Sequence, residues 1–393
     1  MRYAEITERL AALGGAKWKV HLAARQRAAA GEDILLLTIG EPDAPPPSEV
    51  IDAAKAGLDA GRIGYSNGRG EPALLAALAK RYSRRTGREI TTKQIIALPG
   101  TQTTLFAVMT ALVGPGDEVI VGDPLYATYE GIIAATGAKV VPVPLKPEHG
   151  FRLQAADVAA KITPATRVLF LNTPHNPTGA MLRRDEILAL GALAEAHDLW
   201  ILSDEVYEEL IFGNTPFLSP FDIEALAGRV ICAASISKSH ALPGFRSGWC
   251  VGPEEFAERL LPVAETMLFG NQPFIADATA LAVSQTSPIA RGMAARFAHR
   301  AAILHERLDG RFGLRVNRPE AGMFALVDVR EVGLSGEAFA WGLLNEEKLA
   351  VMPGESFGAA LAGWLRLALT VPDDRMEEAA RRILSHAARV KGV

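Results

Sequence analysis

The run Ser235-Ile-Ser-Lys-Ser-His-Ala-Leu-Pro-Gly-Phe-Arg246 follows the apolar stretch Val230 to Ala234. The apolar stretch predicts a buried strand, which places Lys238 at the mouth of a sheet. A lysine there is costly unless it is solvated or used, and its amine can form a Schiff base with an aldehyde. The serine hydroxyls and the Arg246 guanidinium suit a phosphate, because an arginine fork holds phosphate oxygens in a bidentate way. The alternative for this run alone is a surface lysine in a loop.

Two more polar clusters follow apolar runs. Asn172-Thr-Pro-His-Asn176-Pro-Thr-Gly179 comes after Val168 to Leu171, and Asp204-Glu-Val-Tyr207 comes after Leu199 to Ser203. Each cluster therefore lies just beyond the carboxyl end of a predicted parallel strand, where open α/β sheets bind ligands. We expect the three clusters to meet at one edge of a sheet.

An aldehyde and a phosphate on one ligand point to pyridoxal 5'-phosphate. Asp204 can hold the nitrogen of its pyridinium ring protonated, which makes the ring an electron sink. Asn176 and Tyr207 can hydrogen-bond the phenolic oxygen of the ring. Three separate strand ends thus supply the groups that this cofactor needs.

With these residues, the chain resembles the class I and II aminotransferases, pyridoxal-phosphate enzymes of fold type I. The resemblance covers essentially the whole chain, and the motifs occur in the family's order. They are Gly40-Glu-Pro-Asp43, Tyr65, Gly100-Thr-Gln102, Tyr126, Asn176-Pro-Thr-Gly179, Asp204-Glu-Val-Tyr207, Ser235-Ile-Ser-Lys238, Arg246 and Arg366.

The resemblance implies that Lys238 binds the cofactor and moves the proton at the substrate Cα. It implies a phosphate cup whose members are Gly100, Thr101, Gln102, Ser235 and Arg246. The first three open a predicted helix, whose exposed N–H groups attract an anion. Ser237 is a weaker candidate for the cup, and its alternative role is to satisfy the turn.

Further roles come from the same resemblance. Tyr126 is expected to stack on the pyridine ring, although an aromatic residue there could also belong to the core. Tyr65 is expected to reach the phosphate of a neighbouring subunit, which implies a homodimer with shared active sites; the alternative is a turn tyrosine. Arg366 lies in an otherwise apolar strand and is expected to grip the substrate α-carboxylate, assisted by Gly40 and Asn176.

The substrates are an amino acid and a 2-oxo acid in this reading. Several longer phrases are most similar to bacterial arginine–pyruvate transaminases: Tyr126–Gly131, Lys139–Phe151, Ala196–Trp200 and Ser237–Trp249. Arginine as donor needs an acidic partner, and Glu41 and Asp43 are the nearest candidates, unless they cap the chain before Pro45–Pro47. Aspartate-type and aromatic-type aminotransferases remain alternatives, as does a pyridoxal-phosphate-dependent carbon–sulfur β-lyase.

Other polar residues receive no catalytic role. His175 and His240 are interpreted as satisfied loop histidines, and no histidine has metal-ligand spacing, so no metal is predicted. Glu205, Glu208 and Glu209 form an acidic run that is either solvated or structural.

Composition sets the class of protein. The chain has 393 residues, a formal net charge of −4 and two cysteines, Cys232 and Cys250, in apolar runs. The length predicts two domains, and the charge balance offers no basic surface for nucleic acid. The cysteines are typical of reduced core residues. No apolar run approaches the roughly 20 residues that cross a bilayer, so we expect a soluble, cytoplasmic protein without a membrane partner.

The order of elements predicts an α/β fold. Strands are expected at Gln94–Leu98, Glu118–Gly122, Lys139–Val143, Val168–Asn172, Trp200–Asp204, Val230–Ala234 and Gly248–Gly252. Helical patterns between most of them imply a mainly parallel sheet covered on both faces, with one strand reversed because the last pair lacks room for a crossover helix. We expect a large domain over residues 46–285 and a smaller α+β domain over 286–393, which residues 1–45 join.

Overall fold

The computed structural model describes residues 2–393. Its helices are α1 (Glu5–Gly14), α2 (Lys19–Ala29), α3 (Ser48–Asp59), α4 (Pro72–Thr86), α5 (Gly100–Leu112), α6 (Tyr129–Thr136), α7 (Ala155–Ala159), α8 (Arg184–Ala196), α9 (Glu254–Met267), α10 (Pro273–Val283), α11 (Ala290–Leu308), α12 (Gly336–Glu346) and α13 (Asp373–Lys391).

Its strands are β1 (Leu35–Leu36), β2 (Ile95–Leu98), β3 (Glu118–Asp123), β4 (Lys139–Pro144), β5 (Thr166–Asn172), β6 (Trp200–Asp204), β7 (Val230–Ser235), β8 (Gly248–Val251), β9 (Arg315–Asn317), β10 (Phe324–Asp328), β11 (Leu349–Ala350), β12 (Met352–Pro353) and β13 (Trp364–Ala368).

The large sheet contains seven strands within residues 2–393, in the order β2-β8-β7-β6-β5-β3-β4. Strand β8 runs antiparallel to both of its neighbours, and the other pairings are parallel. The prediction of a mostly parallel α/β sheet with one reversed strand is confirmed. Residues 236–247, which join β7 to β8, are too few for a crossover helix, and this forces the reversal.

Helices cover both faces of the large sheet, so its central strands are buried on both sides. Helices α4, α8 and α10 pack on one face, and α5, α6 and α9 pack on the other. All residues of β2, β7 and β8 are buried. This double burial explains why the strands read as continuous apolar runs rather than as alternating ones.

A smaller antiparallel sheet has the order β12-β13-β10-β9. Helices α11, α12 and α13 share a hydrophobic core with it. Strand β1 pairs in parallel with β11, while α1 packs against α6 of the larger layer. The N-terminal segment therefore contacts both layers of the molecule.

Two local features concern the starts and ends of helices. Helices α9 and α10 are separated by residues 268–272. Helix α3 follows three prolines, and Pro47 occupies its N-cap without a side-chain cap. The restricted φ of Pro47 is compatible with a position directly before the first helical residue.

No helix between residues 2 and 393 is both long enough and apolar enough to cross a bilayer.

Candidate active site

A cavity of about 220 Å³ opens where the carboxyl ends of β5, β6 and β7 meet the first turn of α5. Strand β13 of the smaller sheet and the N-terminal segment close its other side. The predicted site residues that line it are Gly40, Thr101, Gln102, Tyr126, Asn176, Asp204, Tyr207, Ser235, Lys238, Arg246 and Arg366, together with the weaker candidate Ser237.

Lys238 lies in the loop after β7 and points its amine into this cavity. Nζ donates a hydrogen bond of 2.9 Å to the carbonyl oxygen of Gly40. Burial lowers the pKa of Lys238 to about 8, and the positive charges of Arg366 and Arg246 act in the same direction, whereas Glu41 opposes them. An amine with this pKa is available in its neutral form close to neutral pH, as a proton acceptor requires.

Asp204, the last residue of β6, is buried at the bottom of the cavity. Its Oδ2 accepts a hydrogen bond of 2.6 Å from the hydroxyl of Tyr129, and its Oδ1 accepts one of 3.1 Å from the Val206 amide. Burial raises the pKa of Asp204 to about 6, although these two hydrogen bonds favour the ionised form. A cation beside this carboxylate would relieve the cost of burying its charge.

Arg366 projects from β13 and is buried between two aromatic rings. Its guanidinium carbon lies 4.0 Å from the Phe324 ring centroid and 4.2 Å from that of Phe357. Nη2 donates to the Thr38 carbonyl at 2.6 Å, and Nη1 donates to Oδ1 of Asn176 at 3.3 Å. Burial lowers the pKa of Arg366 to about 10. Within residues 2–393 no carboxylate pairs with it, and Nε has no partner.

Asn176 is held where its side chain faces both Arg366 and Tyr207. Its backbone N–H donates a hydrogen bond of 2.8 Å to Oδ1 of Asn172, the last residue of β5. Burial raises the pKa of Tyr207, and the nearby side chain of Asn176 opposes this shift. Both hydroxyl and amide thus line the cavity from neighbouring strand ends.

The start of α5 and Arg246 form a second part of the cavity. Gly100 has φ +80°, and a Cβ there would lie 2.2 Å from Nη2 of Arg246. The Arg246 guanidinium donates to the carbonyls of Pro243 at 2.9 Å and Pro99 at 3.3 Å. The hydroxyl of Thr101 is buried without a partner among the described residues. A cation, a free hydroxyl and a helix N-terminus together make a place for an anion.

Ser235, Ser237 and Gln102 also belong to this part. The backbone amide of Ser237 donates a hydrogen bond of 3.3 Å to Oγ of Ser235, so the Ser235 side chain stabilises this turn. The role of the Ser237 hydroxyl stays a prediction. Oε1 of Gln102 accepts from the Thr128 hydroxyl at 2.9 Å. These three residues line the cavity beside Arg246.

Comparison with known proteins identifies the family. The sequence model described as aminotransferase class I and II matches residues 32–383. The chain belongs to the class I and II aminotransferases. An arginine–pyruvate transaminase of Pseudomonas aeruginosa is 44% identical over 392 residues, which are 100% of each chain. An aspartate/prephenate aminotransferase of Cereibacter sphaeroides is 32% identical over 93% of this chain and 94% of its own length.

Solved structures agree with this assignment. An aspartate aminotransferase of Thermus thermophilus with maleate has a TM-score of 0.91 and 30% identity, covering 98% of this chain and 100% of its own. The fold expected from the resemblance, that of the fold type I enzymes, is therefore confirmed. This protein is an aminotransferase.

Sequence reasoning missed several residues that line the aminotransferase cavity, among them Phe324 and Tyr129. Tyr129 contacts both the acid and the aromatic residue of the predicted site. Its ring stacks at a tilt on Phe170, 4.4 Å between centroids, and meets Tyr126 edge-on at 5.6 Å. Tyr126 itself is partly buried against the core and lines the cavity, and its stacking on a cofactor ring stays a prediction. The spacing of three residues between the two tyrosines, at the start of a helical pattern, is the signal that could have indicated a pair on one face.

Two predicted site residues do not line the cavity of their own chain: Gly100, which lies against Arg246, and Tyr65. Tyr65 is far more exposed. Its side chain is 95% exposed and contacts Phe269 edge-on, at 6.2 Å between ring centroids. A contribution to the site of a neighbouring subunit stays a prediction.

The acidic run after β6 is structural rather than solvated. Glu205 is fully buried, accepts from Arg85 at 3.1 Å and takes a hydrogen bond from the Ser219 hydroxyl. Glu208 accepts from both Arg81 and Arg85, at 2.9 and 2.6 Å. These pairs tie α4 to the loop that follows Asp204.

The two motif histidines have local partners, as expected. Nδ1 of His175 lies 2.8 Å from the Thr178 hydroxyl, and burial lowers the pKa of His175 to about 4. His240 lies between the Ser239 hydroxyl and the Ala282 carbonyl, at 2.9 and 3.1 Å. Among residues 2–393 no group of three or more His, Cys, Asp or Glu side chains could hold a metal ion.

The two acidic candidates for a donor guanidinium have different surroundings. Asp43 accepts from Arg296 at 2.8 and 3.0 Å and from Arg300 at 2.6 Å, so its charge is already neutralised. It joins the N-terminal segment to α11, and the expectation that it serves the donor is wrong. Glu41 is exposed and has no ion pair within residues 2–393.

Proposed function

We propose that this aminotransferase uses pyridoxal 5'-phosphate to move the amino group of an L-amino acid, arginine included, to a 2-oxo acid such as pyruvate. The observation that carries the proposal is the pairing of two groups in one cavity. The neutralisable amine of Lys238 and the buried guanidinium of Arg366, which no carboxylate pairs with in the described chain, both face it. The donor and acceptor are suggested by the relative with 44% identity.

The residues of the cavity fit this cofactor. The unpartnered hydroxyl of Thr101 and the Arg246 guanidinium, which has only carbonyl partners, match a phosphate. Gly100 leaves the space beside that guanidinium open. Asp204 matches a protonated ring nitrogen, because the ring's positive charge would offset the burial that raises the pKa of the carboxyl.

The remaining cofactor contacts follow from position in the cavity. Tyr207 and Asn176 would hold the phenolic oxygen, and Tyr126 would stack on the ring. Ser235 and Gln102 would join the phosphate cup, and Lys238 would hold the aldehyde. When bound, the cofactor supplies an electron sink that weakens bonds to the substrate Cα.

Arg366 binds the substrate α-carboxylate through its free Nε and the fork that it shares with Asn176. The Phe324 and Phe357 rings hold the guanidinium in place, so the carboxylate meets a fixed partner. Lys238, on the same cavity, removes the proton at Cα and returns one during the other half of the exchange. The lowered pKa of its amine suits both directions near neutral pH.

The functional unit is proposed to be a homodimer in which Tyr65 reaches the phosphate of the neighbouring subunit. Tyr65, Ile63 and Phe269 are 95%, 71% and 59% exposed, which leaves an apolar surface on the single chain. A cytoplasmic location is proposed as well, because Cys232 and Cys250 are buried free thiols.

The test is a panel of donors with pyruvate and 2-oxoglutarate as acceptors. We expect amino transfer from arginine to pyruvate, with the Lys238→Ala protein losing at least about a thousandfold in rate and the visible absorbance of the lysine-bound cofactor. Preference for aspartate with arginine inert would overturn the donor and leave amino transfer standing. Release of ammonia without an aminated acceptor would indicate a lyase and overturn the proposal.

A further inference from the structure

We propose that Ser239, His240 and Ser287 form a latch that fixes the turn after Lys238 and so sets the position of the lysine amine. They are positioning residues, because none of the three lines the cavity in the described chain. The inference rests on the proposed function, in which Lys238 holds the cofactor and moves the proton at Cα. It names residues that act on this lysine from outside the cavity.

The turn that carries Lys238 is held only loosely by its own backbone. The amide of His240 donates to the Ile236 carbonyl at 3.3 Å, and the amide of Ala241 donates to the Lys238 carbonyl at 3.4 Å. Hydrogen bonds of this length are weaker than the usual ones of about 2.9–3.0 Å. Ala241 also has φ +54°, in the left-handed region that alanine rarely adopts. The geometry of the turn therefore depends on contacts from other elements.

Ser287, in the segment between α10 and α11, supplies the first of these contacts. Its hydroxyl donates a hydrogen bond of 2.6 Å to the carbonyl oxygen of Ser239, the residue directly after Lys238. Both serines are buried. A buried carbonyl that loses its donor bears the cost of desolvation, so the turn would have to move to find another partner.

His240 supplies the second contact, between the same turn and the last turn of α10. Nε2 lies 3.1 Å from the Ala282 carbonyl, and Nδ1 lies 2.9 Å from the Ser239 hydroxyl. Burial lowers the pKa of His240, which keeps the ring neutral at neutral pH. Because a carbonyl only accepts, Nε2 carries the proton of the neutral ring and Nδ1 accepts from Ser239. Ser239 is thus held at its carbonyl by Ser287 and at its hydroxyl by His240.

The latch is tied to the loop that follows Asp204. The backbone N–H of Ser287 donates to Oε2 of Glu209 at 2.7 Å, and Oε1 of Glu209 accepts from Nη2 of Arg81 at 2.7 Å. The same Arg81 nitrogen donates to Glu208 at 2.9 Å. One series of contacts therefore joins the segment of the cavity acid to the turn of the cavity lysine. Support of this kind fixes the relation between two groups that serve one ligand.

The amine of Lys238 is sensitive to the position of this turn. Its flexible side chain places Nζ 2.9 Å from the Gly40 carbonyl, and a shift of the backbone would move that amine. A displacement of about 1 Å can cost on the order of a hundredfold in rate. The proposed phosphate cup and Asp204 do not act through the amine. Loss of the latch should therefore weaken only the events in which the amine takes part.

Two variants open the latch, and a third is the matched control. Ser287→Ala removes the hydrogen bond to Ser239, and Glu209→Gln leaves one acceptor oxygen for two donors. Glu209→Gln also carries the test if Ser287→Ala fails to fold. The control is Ser203→Ala, because Ser203 is a buried serine of β6 whose hydroxyl has no partner among the described residues.

Two ligands separate a positioning role from a merely structural one. Pyridoxal 5'-phosphate has the aldehyde that the amine binds, and 4'-deoxypyridoxine 5'-phosphate has a methyl group in its place. We expect Ser287→Ala and Glu209→Gln to raise the Kd of the first about tenfold and to leave that of the second within about twofold. Both constants should stay within about twofold of wild type in Ser203→Ala.

Single-turnover amino transfer gives a second readout, with the donor that the wild type uses best. The maximal rate should fall at least about tenfold in Ser287→Ala, because the amine is displaced from the proton that it moves. The donor concentration that gives half of this rate should stay within about threefold, since the latch does not contact the donor.

A measurement on the cofactor-free protein separates this inference from the proposed function. Trinitrobenzenesulfonate labels lysine amines, and mass spectrometry of peptides compares the rate at Lys238 with that at the exposed Lys139. A loosened turn exposes the amine, so this ratio should rise at least about threefold in Ser287→Ala and Glu209→Gln and stay unchanged in Ser203→Ala.

The outcomes that overturn the latch differ from those that overturn the function. An unchanged labelling ratio in both latch variants would overturn the inference, and so would an equal rise in Kd for the two phosphates. Failure of the wild type to bind pyridoxal 5'-phosphate would overturn the proposed function, and the labelling ratio would still decide the inference.

Discussion

At the scale of single residues, the cavity is unevenly charged. Lys238, Arg246 and Arg366 face it as cations, and Asp204 is the acid that lines it in the described part of the chain. Burial opposes the charged form in three of these groups, as the pKa values of about 8 for Lys238, 10 for Arg366 and 6 for Asp204 express. These buried charges destabilise the protein when the cavity is empty. A ligand with two anionic groups and one cation would pair with them and offset that cost.

The ionised Asp204 should therefore lower the free energy of unfolding of the cofactor-free protein, while it supports amino transfer in the loaded enzyme. A carboxyl whose pKa is raised from 3.8 to about 6 costs nothing when protonated, and the cost grows from pH 4 to pH 6 and is constant above. In cofactor-free protein at pH 7, Asp204→Asn should raise the free energy of unfolding by on the order of 2 kcal/mol. The Tyr129 hydroxyl can accept from the new amide as readily as it donates to the carboxylate. Thermal unfolding at pH 5 and pH 7 measures this, and the gain should be smaller at pH 5.

The same substitution should slow the loaded enzyme. Single-turnover amino transfer is expected to fall about a hundredfold or more, because a neutral amide does not hold the ring nitrogen protonated. A variant that is less stable than wild type when empty, or equally fast when loaded, would contradict the assignment of Asp204.

At the scale of elements, the part of the cavity proposed to hold the phosphate depends on a close approach between α5 and the strands β7 and β8. A Cβ on Gly248 would lie 2.7 Å from the carbonyl carbon of Gly100 and 2.9 Å from the oxygen of Ala234. Gly100 in turn faces Arg246. Two glycines thus allow the helix N-terminus, the end of β7 and the guanidinium to lie close together, in the arrangement that the proposed phosphate cup requires.

Gly100→Ala should weaken cofactor binding by more than backbone strain explains. The methyl group would displace the Arg246 guanidinium, and the positive φ of +80° adds a cost of about 1 kcal/mol. Gly87→Ala is the control, since Gly87 has φ +71° at the end of α4 and open space around its Cβ position. We expect both variants to lose similar stability by thermal unfolding. The dissociation constant of pyridoxal 5'-phosphate should rise at least about tenfold in Gly100→Ala alone; equal constants in both variants would contradict the role of Arg246.

At the scale of the whole molecule, Tyr65 is the residue whose role one chain does not reveal. It is 95% exposed and outside the cavity of its own chain. The division into residues 1–45, 46–285 and 286–393 also stays a proposal at this scale. The pairing of β1 with β11 and the packing of α1 on α6 show that the first segment contacts both layers.

A hybrid dimer tests whether the sites are shared. If Tyr65 serves the neighbouring subunit, a Tyr65→Phe chain paired with a Lys238→Ala chain contains one site with both changes and one site with neither. The hybrid should therefore show about half of the wild-type activity and, at its active site, the wild-type affinity for the cofactor. Affinity tags of two kinds allow the hybrid to be purified. The proposal would be contradicted if the activity of the hybrid did not exceed the activity of a single Tyr65→Phe site. A monomer with full activity would contradict it as well.

The sequence alone determined the large sheet and the set of residues at its carboxyl edge. Short apolar runs such as Val230–Ser235 are buried on both faces, and this makes each strand visible without knowledge of its neighbours. Polar residues directly after such runs, as at Asp204 and Asn176, must meet at one edge once the strands are parallel. Helix α4 was missed although it too has local signals, namely Pro72 in its first turn and Gly87 after its end.

Only the tertiary structure decided which polar groups pair across the chain. Asp43 is bound by Arg300, 257 residues away, and this removes it from the donor side. Tyr129 bonds Asp204, and Arg366 bonds the carbonyl of Thr38, between elements that share no sequence pattern. Such contacts depend on how helices and sheets are brought together, and a single side chain carries no periodic signal of its distant partner. The sequence therefore offered Glu41 and Asp43 as equal candidates to bind the donor. Only the tertiary structure showed that Asp43 is already paired with arginine.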